Sequence, residues 1–95
     1  MKNFKTIDEK FEEIGFKKIK EDEFGATYER YNDQFKYTHT LDLLHKANGR
    51  HIVQSTDNEL TDQKGIGNTC VGLTMYEIKL CYKKMKQMGW KMIKE

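Results

Sequence analysis

"FKKIKEDEFGATYERYNDQFKYTHTLDLLHKANGRHIVQST", residues 16 to 56, decides how this chain folds. Its apolar residues recur with a period near two, and turn signals divide it at the spacings of an antiparallel meander. The pattern predicts four strands, at roughly 16 to 21, 24 to 31, 35 to 46 and 50 to 56. With Asn32-Asp33 as a two-residue turn, Arg30 lies opposite Phe35, Tyr28 opposite Tyr37, Ala26 opposite His39 and Phe24 opposite Leu41. That register gathers large side chains on one face. Asn48-Gly49 is the strongest hairpin signal, because both residues tolerate the positive φ of a type I′ turn. It sets Leu43 opposite Gln54, His45 opposite Ile52 and Leu44 opposite Val53, which sorts the faces less cleanly. Either a bulge shifts the last strand by one residue, or the second face is also partly covered.

Outside this stretch the period changes to that of a helix. Thr6-Ile7-Asp8-Glu9 fits a capping box, Ile7, Phe11 and Ile14 form an apolar stripe, and Gly15 ends the helix. Thr74-Met75-Tyr76-Glu77 is a second capping box. It opens a helix over 75 to 88, with Ile78, Cys81, Tyr82, Met85 and Met88 as its apolar stripe and lysines opposite. Gly89 is placed to take positive φ after it, with Trp90 folding back onto Met85. The expected fold is therefore α+β and two-layered, a four-stranded antiparallel meander with an N-terminal and a C-terminal helix (α-β-β-β-β-α), both packed on one sheet face.

Ninety-five residues fit a single domain spanning 1 to 95, and eleven aromatic residues supply a core despite the 34% charged fraction. The N-terminus has no continuous apolar run of the kind a signal peptide requires, and no window approaches a membrane span. Cys70 and Cys81 are spaced for neither a redox motif nor a zinc knuckle, which favours a reducing cytoplasm. The net charge of +2 is unevenly spread: residues 75 to 95 hold six lysines against two glutamates, whereas the opening helix and residues 57 to 62 lean acidic.

The glycine-rich "DQKGIGNTCVGLTMYE", residues 62 to 77, invites a phosphate-binding reading, which fails on chemistry. A P-loop needs a lysine followed by Ser or Thr after its glycines, and Gly72-Leu73-Thr74 has none; in the dinucleotide pattern Cys70 stands where the third glycine belongs. Residues 57 to 73 read instead as a long connection, with Asp62, Gln63, Gly65, Gly67, Asn68 and Thr69 suited to contact with a protein partner. "TCVGL", residues 69 to 73, is open to a short extra strand with Cys70 buried, though a loop is the preferred reading here.

No residues announce catalysis, a metal or a cofactor. His39 and His45 share a strand face but stand some 20 Å apart at about 3.3 Å per residue, and His51 is expected on the other face, so the three cannot ligate one metal. Ser55, the sole serine, lacks a recognisable nucleophile setting, and Cys81 faces the core. A non-enzymatic binding or adaptor protein is the leading reading, with a possible homodimer through a strand edge or the open sheet face. That face is expected to carry Lys18, Thr27, Tyr31, Asp42, Leu44, His51, Val53 and Ser55 among others. The alternative is nucleic-acid binding through Lys79, Lys83, Lys84, Lys86 and Lys91 of the last helix, with Trp90 or Tyr76 stacking on bases.

At "GIGNTCVGLTMYEIKLCYKKMKQMGW", residues 65 to 90, together with "YTHTLDLL" and "HIVQST", the chain resembles small proteins encoded by bacteriophages and prophages of low-GC Gram-positive bacteria. The resemblance implies a small cytosolic accessory protein that acts by binding a host or phage component. It carries over no catalytic residues.

Overall fold

A computed structural model describes residues 5–34, 36–46, 50–57 and 69–91. Among them the elements run α1 (Ile7–Glu13), β1 (Lys17–Asp22), β2 (Gly25–Asn32), β3 (Tyr37–His45), β4 (His51–Asp57), β5 (Thr69–Cys70) and α2 (Met75–Gln87). The first four strands form the expected antiparallel meander, and β5 adds two residues at the β4 edge, giving the order β1-β2-β3-β4-β5. Both helices supply core residues to the same sheet face. Phe11 of α1 and Leu80 and Cys81 of α2 pack with Phe16, Ala26, Tyr28, Leu41 and Leu43 in one buried cluster.

Both capping boxes form as their spacing predicts. The Thr6 and Thr74 hydroxyls accept from the Glu9 and Glu77 amides, and each glutamate accepts from its threonine's amide. The helices also end alike. Gly15 (φ 96) donates to the Glu12 carbonyl and Phe16 to that of Phe11; Gly89 (φ 84) donates to Lys86 and Trp90 to Met85. This is the Schellman pattern, and in each case it aims the next aromatic inward. Phe16 meets Phe11 edge-on at 5.8 Å, while Trp90 lands on two histidines of the sheet.

The strand registers differ from expectation in two instructive ways. In β2–β3 the turn is wider than Asn32-Asp33: Asn32 pairs with Tyr37, Tyr28 with Leu41 and Arg30 with His39. Lys36, at φ 57, takes the left-handed turn position. Within the paired strands the register slides by four residues, an even number, so Ala26, Tyr28 and Arg30 still share a face with Tyr37, His39 and Leu41, whereas Phe24 precedes β2 and is exposed. In β3–β4 the one-residue shift is present but without a bulge among the paired residues, with His45 opposite His51, Leu43 opposite Val53 and Leu41 opposite Ser55 in continuous register. An odd slip exchanges faces. His51, Val53 and Ser55 therefore lie on the helix-covered side, and Ile52, Gln54 and Thr56 take their places on the open face. A bulge between Lys18 and Lys20 likewise turns Lys18 to the helix side, opposite Tyr28.

Gly25 is fixed by proximity. A Cβ there would stand 2.2 Å from the Leu43 carbonyl oxygen, so only glycine lets β2 approach β3 at this point. Asp22 Oδ1 accepts from the amides of Phe24 and Gly25, at 2.8 and 3.1 Å, and closes the preceding turn.

Candidate binding surface

The orientation of α2 settles which of its residues can meet another molecule. Its buried residues are Glu77, Leu80, Cys81 and Lys84, at spacings of three, one and three. Ile78 and Tyr82, expected in the core stripe, are instead 54% and 43% exposed. Two inward charges hold this rotation. Lys84 Nζ, 4% exposed, reaches Glu21 at 2.8 Å, Asp8 at 3.2 Å and Gln87 at 3.3 Å, so all its protons have acceptors. Asp8 also accepts from the Tyr28 hydroxyl at 2.6 Å and Lys18 at 2.9 Å. Burial pushes the Asp8 carboxyl up, but these hydrogen bonds outweigh it and hold its pKa below the ordinary value; Lys84 and Lys18 do the same for Glu21. The clamp ties α1, β1, β2 and α2 together.

The second inward charge belongs to a chain of polar contacts with the outline of a catalytic site. Glu77 Oε2 accepts from Arg30 at 2.7 Å, Arg30 lies 3.3 Å from His39 Nδ1, and His39 Nε2 lies 2.6 Å from Ser55 Oγ. Arg30 also covers the Phe16 ring at 4.2 Å. A guanidinium can only donate, so His39 Nδ1 accepts and the proton sits on Nε2, pointing at Ser55. A general base would need the opposite tautomer, with a free Nε2 lone pair to take the serine proton. Burial, and then the Arg30 charge, lower the His39 pKa, which keeps the ring neutral. Cys81, its thiol pushed up to about 12 mainly by burial, stays protonated. Burial raises the Glu77 carboxyl, while Thr74 and Arg30 more than offset it and keep it ionised.

With its polar groups so arranged, α2 turns a second apolar stripe outward. Met75 (87% exposed), Ile78 and Tyr82 recur at i, i+3 and i+7 on the side opposite Leu80 and Lys84. Lys79 and Lys86 are exposed beside them, Lys83 is half-buried, and the Lys86 ammonium sits 5.5 Å from the Tyr82 ring centroid. Lys79 and Lys10 push the Lys83 pKa down, a sign of concentrated positive charge. The ridge thus has an apolar crest and basic flanks.

Of the lysines predicted for nucleic acid, Lys79, Lys83, Lys86 and Lys91 keep some or all of their exposure, and Lys84 does not belong to the set because it is consumed by the Asp8–Glu21 clamp. Of the predicted contact residues, Asp62, Gln63, Gly65, Gly67 and Asn68 lie outside the described residues. Thr69 is in β5, its backbone paired with Asp57. The short-strand reading of this segment is the one realised, with Cys70 exposed rather than buried. On the open sheet face Gly25, Leu44 and Ile52 line up across three strands, and Phe24 (63% exposed) borders a hollow of about 110 Å³ over Gly25.

Sequence reasoning missed one constellation. His45 and His51, expected on opposite faces, are cross-strand partners with their Nδ1 atoms 3.0 Å apart. Trp90 lies against both rings, at centroid distances of 5.5 and 4.9 Å. The poor sorting of faces by the Asn48-Gly49 register was the available signal. Among the described residues no group of three or more His, Cys, Asp or Glu is placed to hold a metal, and no helix is long and apolar enough to cross a membrane.

No protein-family model, no curated protein and no solved structure matches this chain.

Proposed function

We propose that this chain is a non-enzymatic binding domain of the bacterial cytoplasm, of phage or prophage origin, that docks a protein partner on the outer face of α2. The observation that carries the reading is the exposed Met75–Ile78–Tyr82 crest. A helix already packed through one stripe gains nothing in the monomer from a second, and a contiguous apolar surface rimmed by charge is what protein interfaces present. The flanking Lys79, Lys83 and Lys86 select an acidic partner segment with apolar anchors. Two free cysteines, one exposed and one buried, fit a reducing compartment.

Self-association does not use this face, since a second copy would bring lysines against lysines. The β1 edge is a poor alternative, being bulged and carrying Lys17, Lys18 and Lys20. Nucleic acid is the second reading, favoured by the positive field around Lys83. It explains the flanks but leaves Met75 and Ile78 without a role.

A photo-crosslinking residue placed at Tyr82, compared with one at Tyr31 on the open face, tests the reading in host extract. The expected result is a discrete protein adduct from position 82 that disappears with Ile78→Asp. Nuclease-sensitive adducts, or protein adducts from position 31 alone, would overturn it.

A further inference from the structure

His45, His51 and Trp90 form a built constellation at the margin of the core, which Trp90 also packs against, and apart from the α2 crest. His45 and His51 come from adjacent strands and are half-exposed, so both water and solutes reach them. Their Nδ1 atoms face each other at 3.0 Å, with ring planes 27° apart. Trp90 stacks on His51 at 4.9 Å and 14° and is delivered there by the Schellman turn that closes α2. The two imidazoles are therefore held on both sides, by strand pairing and by an indole.

We infer that His45 and His51 chelate a single divalent transition-metal cation of the copper or nickel class through their Nδ1 atoms. A cation at about 2.0–2.1 Å from each nitrogen places the two about 2.9 Å apart at a right angle and about 3.3 Å apart at the tetrahedral angle. The observed 3.0 Å is close to the right angle, the geometry of tetragonal Cu(II) or Ni(II), and imidazole suits both. At present one ring carries its proton on Nδ1 and donates it to the other. On binding, that proton moves to the same ring's Nε2 through solvent, both rings stay neutral, and the cation exchanges two waters for two imidazoles. Water completes the coordination, as no third protein ligand stands within reach among the described residues.

The surroundings give the site a distinguishing signature. Lys46 and Lys91, adjacent in sequence to His45 and Trp90, are exposed and cationic. They oppose a dication, so added salt screens the repulsion and tightens binding. A cation gathered by surface carboxylates shows the reverse dependence.

Trp90 is the only tryptophan, so its emission reports the site directly. The probe is Cu(II) alone, titrated into the full chain carrying Cys70→Ser to remove the exposed thiol. Expected are saturable quenching at one cation per chain, reversal by a chelator, and tighter binding at higher salt. His45→Ala or His51→Ala raises the half-saturation concentration on the order of a hundredfold, because two held ligands become one. Should those variants misfold, substoichiometric Cu(II) on the histidine-intact chain decides the matter by NMR, with amide broadening centred on residues 45, 51 and 90. Broadening centred elsewhere, quenching that survives loss of both histidines, or binding weakened by salt overturns the assignment.

Discussion

Lys84 is the residue whose role differs most from its appearance in the sequence. Within a basic helix it reads as one more solvated ammonium, yet it is the buried hub that Asp8, Glu21 and Gln87 surround. Lys84→Met keeps the stem and removes the charge, leaving two carboxylates that retain Lys18 and partial exposure. The loss is therefore expected below that of a fully buried pair, about 2 kcal/mol in urea unfolding. Gly25→Ala, which forces a Cβ onto the Leu43 carbonyl, is expected to cost a similar 1–3 kcal/mol, roughly the penalty of overpacking. Protonation supplies a third test at this scale. His39 keeps its neutral form in the fold, whereas the unfolded chain takes up a proton below about its ordinary value of 6.5, so stability falls as pH drops through that value. Asp8, Glu21 and Glu77 stay ionised in the fold below their ordinary 3.8 and 4.5; their contribution is full above those values and is lost as pH falls through the folded ones. Melting temperature is expected to decline in two stages, and His39→Gln should flatten the first while leaving the second.

Elements were legible in the sequence wherever a local rule settles them. Both capping boxes and both glycine terminators follow from residues three to five apart, the strand meander from a period of two broken by turn signals, and all are present. What was not legible is how elements are set against one another. The β3–β4 slip of one residue moved His51, Val53 and Ser55 to the helix side, and the rotation of α2 exposed Ile78 and Tyr82. The rotation depends on long-range partners: Glu77 finds Arg30, 47 residues away, and Lys84 finds Asp8 at a separation of 76. A pattern search that assigns charges outward cannot anticipate either. The two glycine terminators offer a comparison. Gly15→Ala and Gly89→Ala both force a side chain to positive φ, costing roughly 1–2 kcal/mol, but a Cβ at 15 also meets Arg30 at 3.1 Å while one at 89 meets nothing within 4 Å. Thermal unfolding should rank Gly15→Ala as the more damaging.

For the whole molecule, the α+β scaffold divides its labour by face. One sheet face and the inner sides of both helices hold the core and its two polar networks. The crest of α2 and the open sheet face are left exposed. Of these, the crest joins apolar anchors to concentrated charge, whereas the open face spreads Phe24, Tyr31 and Ile52 among threonines and acids. The most direct test is the affinity of the crosslinked partner, once identified, for wild type, Ile78→Asp with Tyr82→Asp, and Phe24→Ser, at low and high salt. The account predicts a loss of about a hundredfold or more for the crest variant, as expected for removing two interface anchors, little change for Phe24→Ser, and weaker wild-type binding at high salt. Equal binding by the crest variant and wild type, or a loss confined to Phe24→Ser, would contradict it.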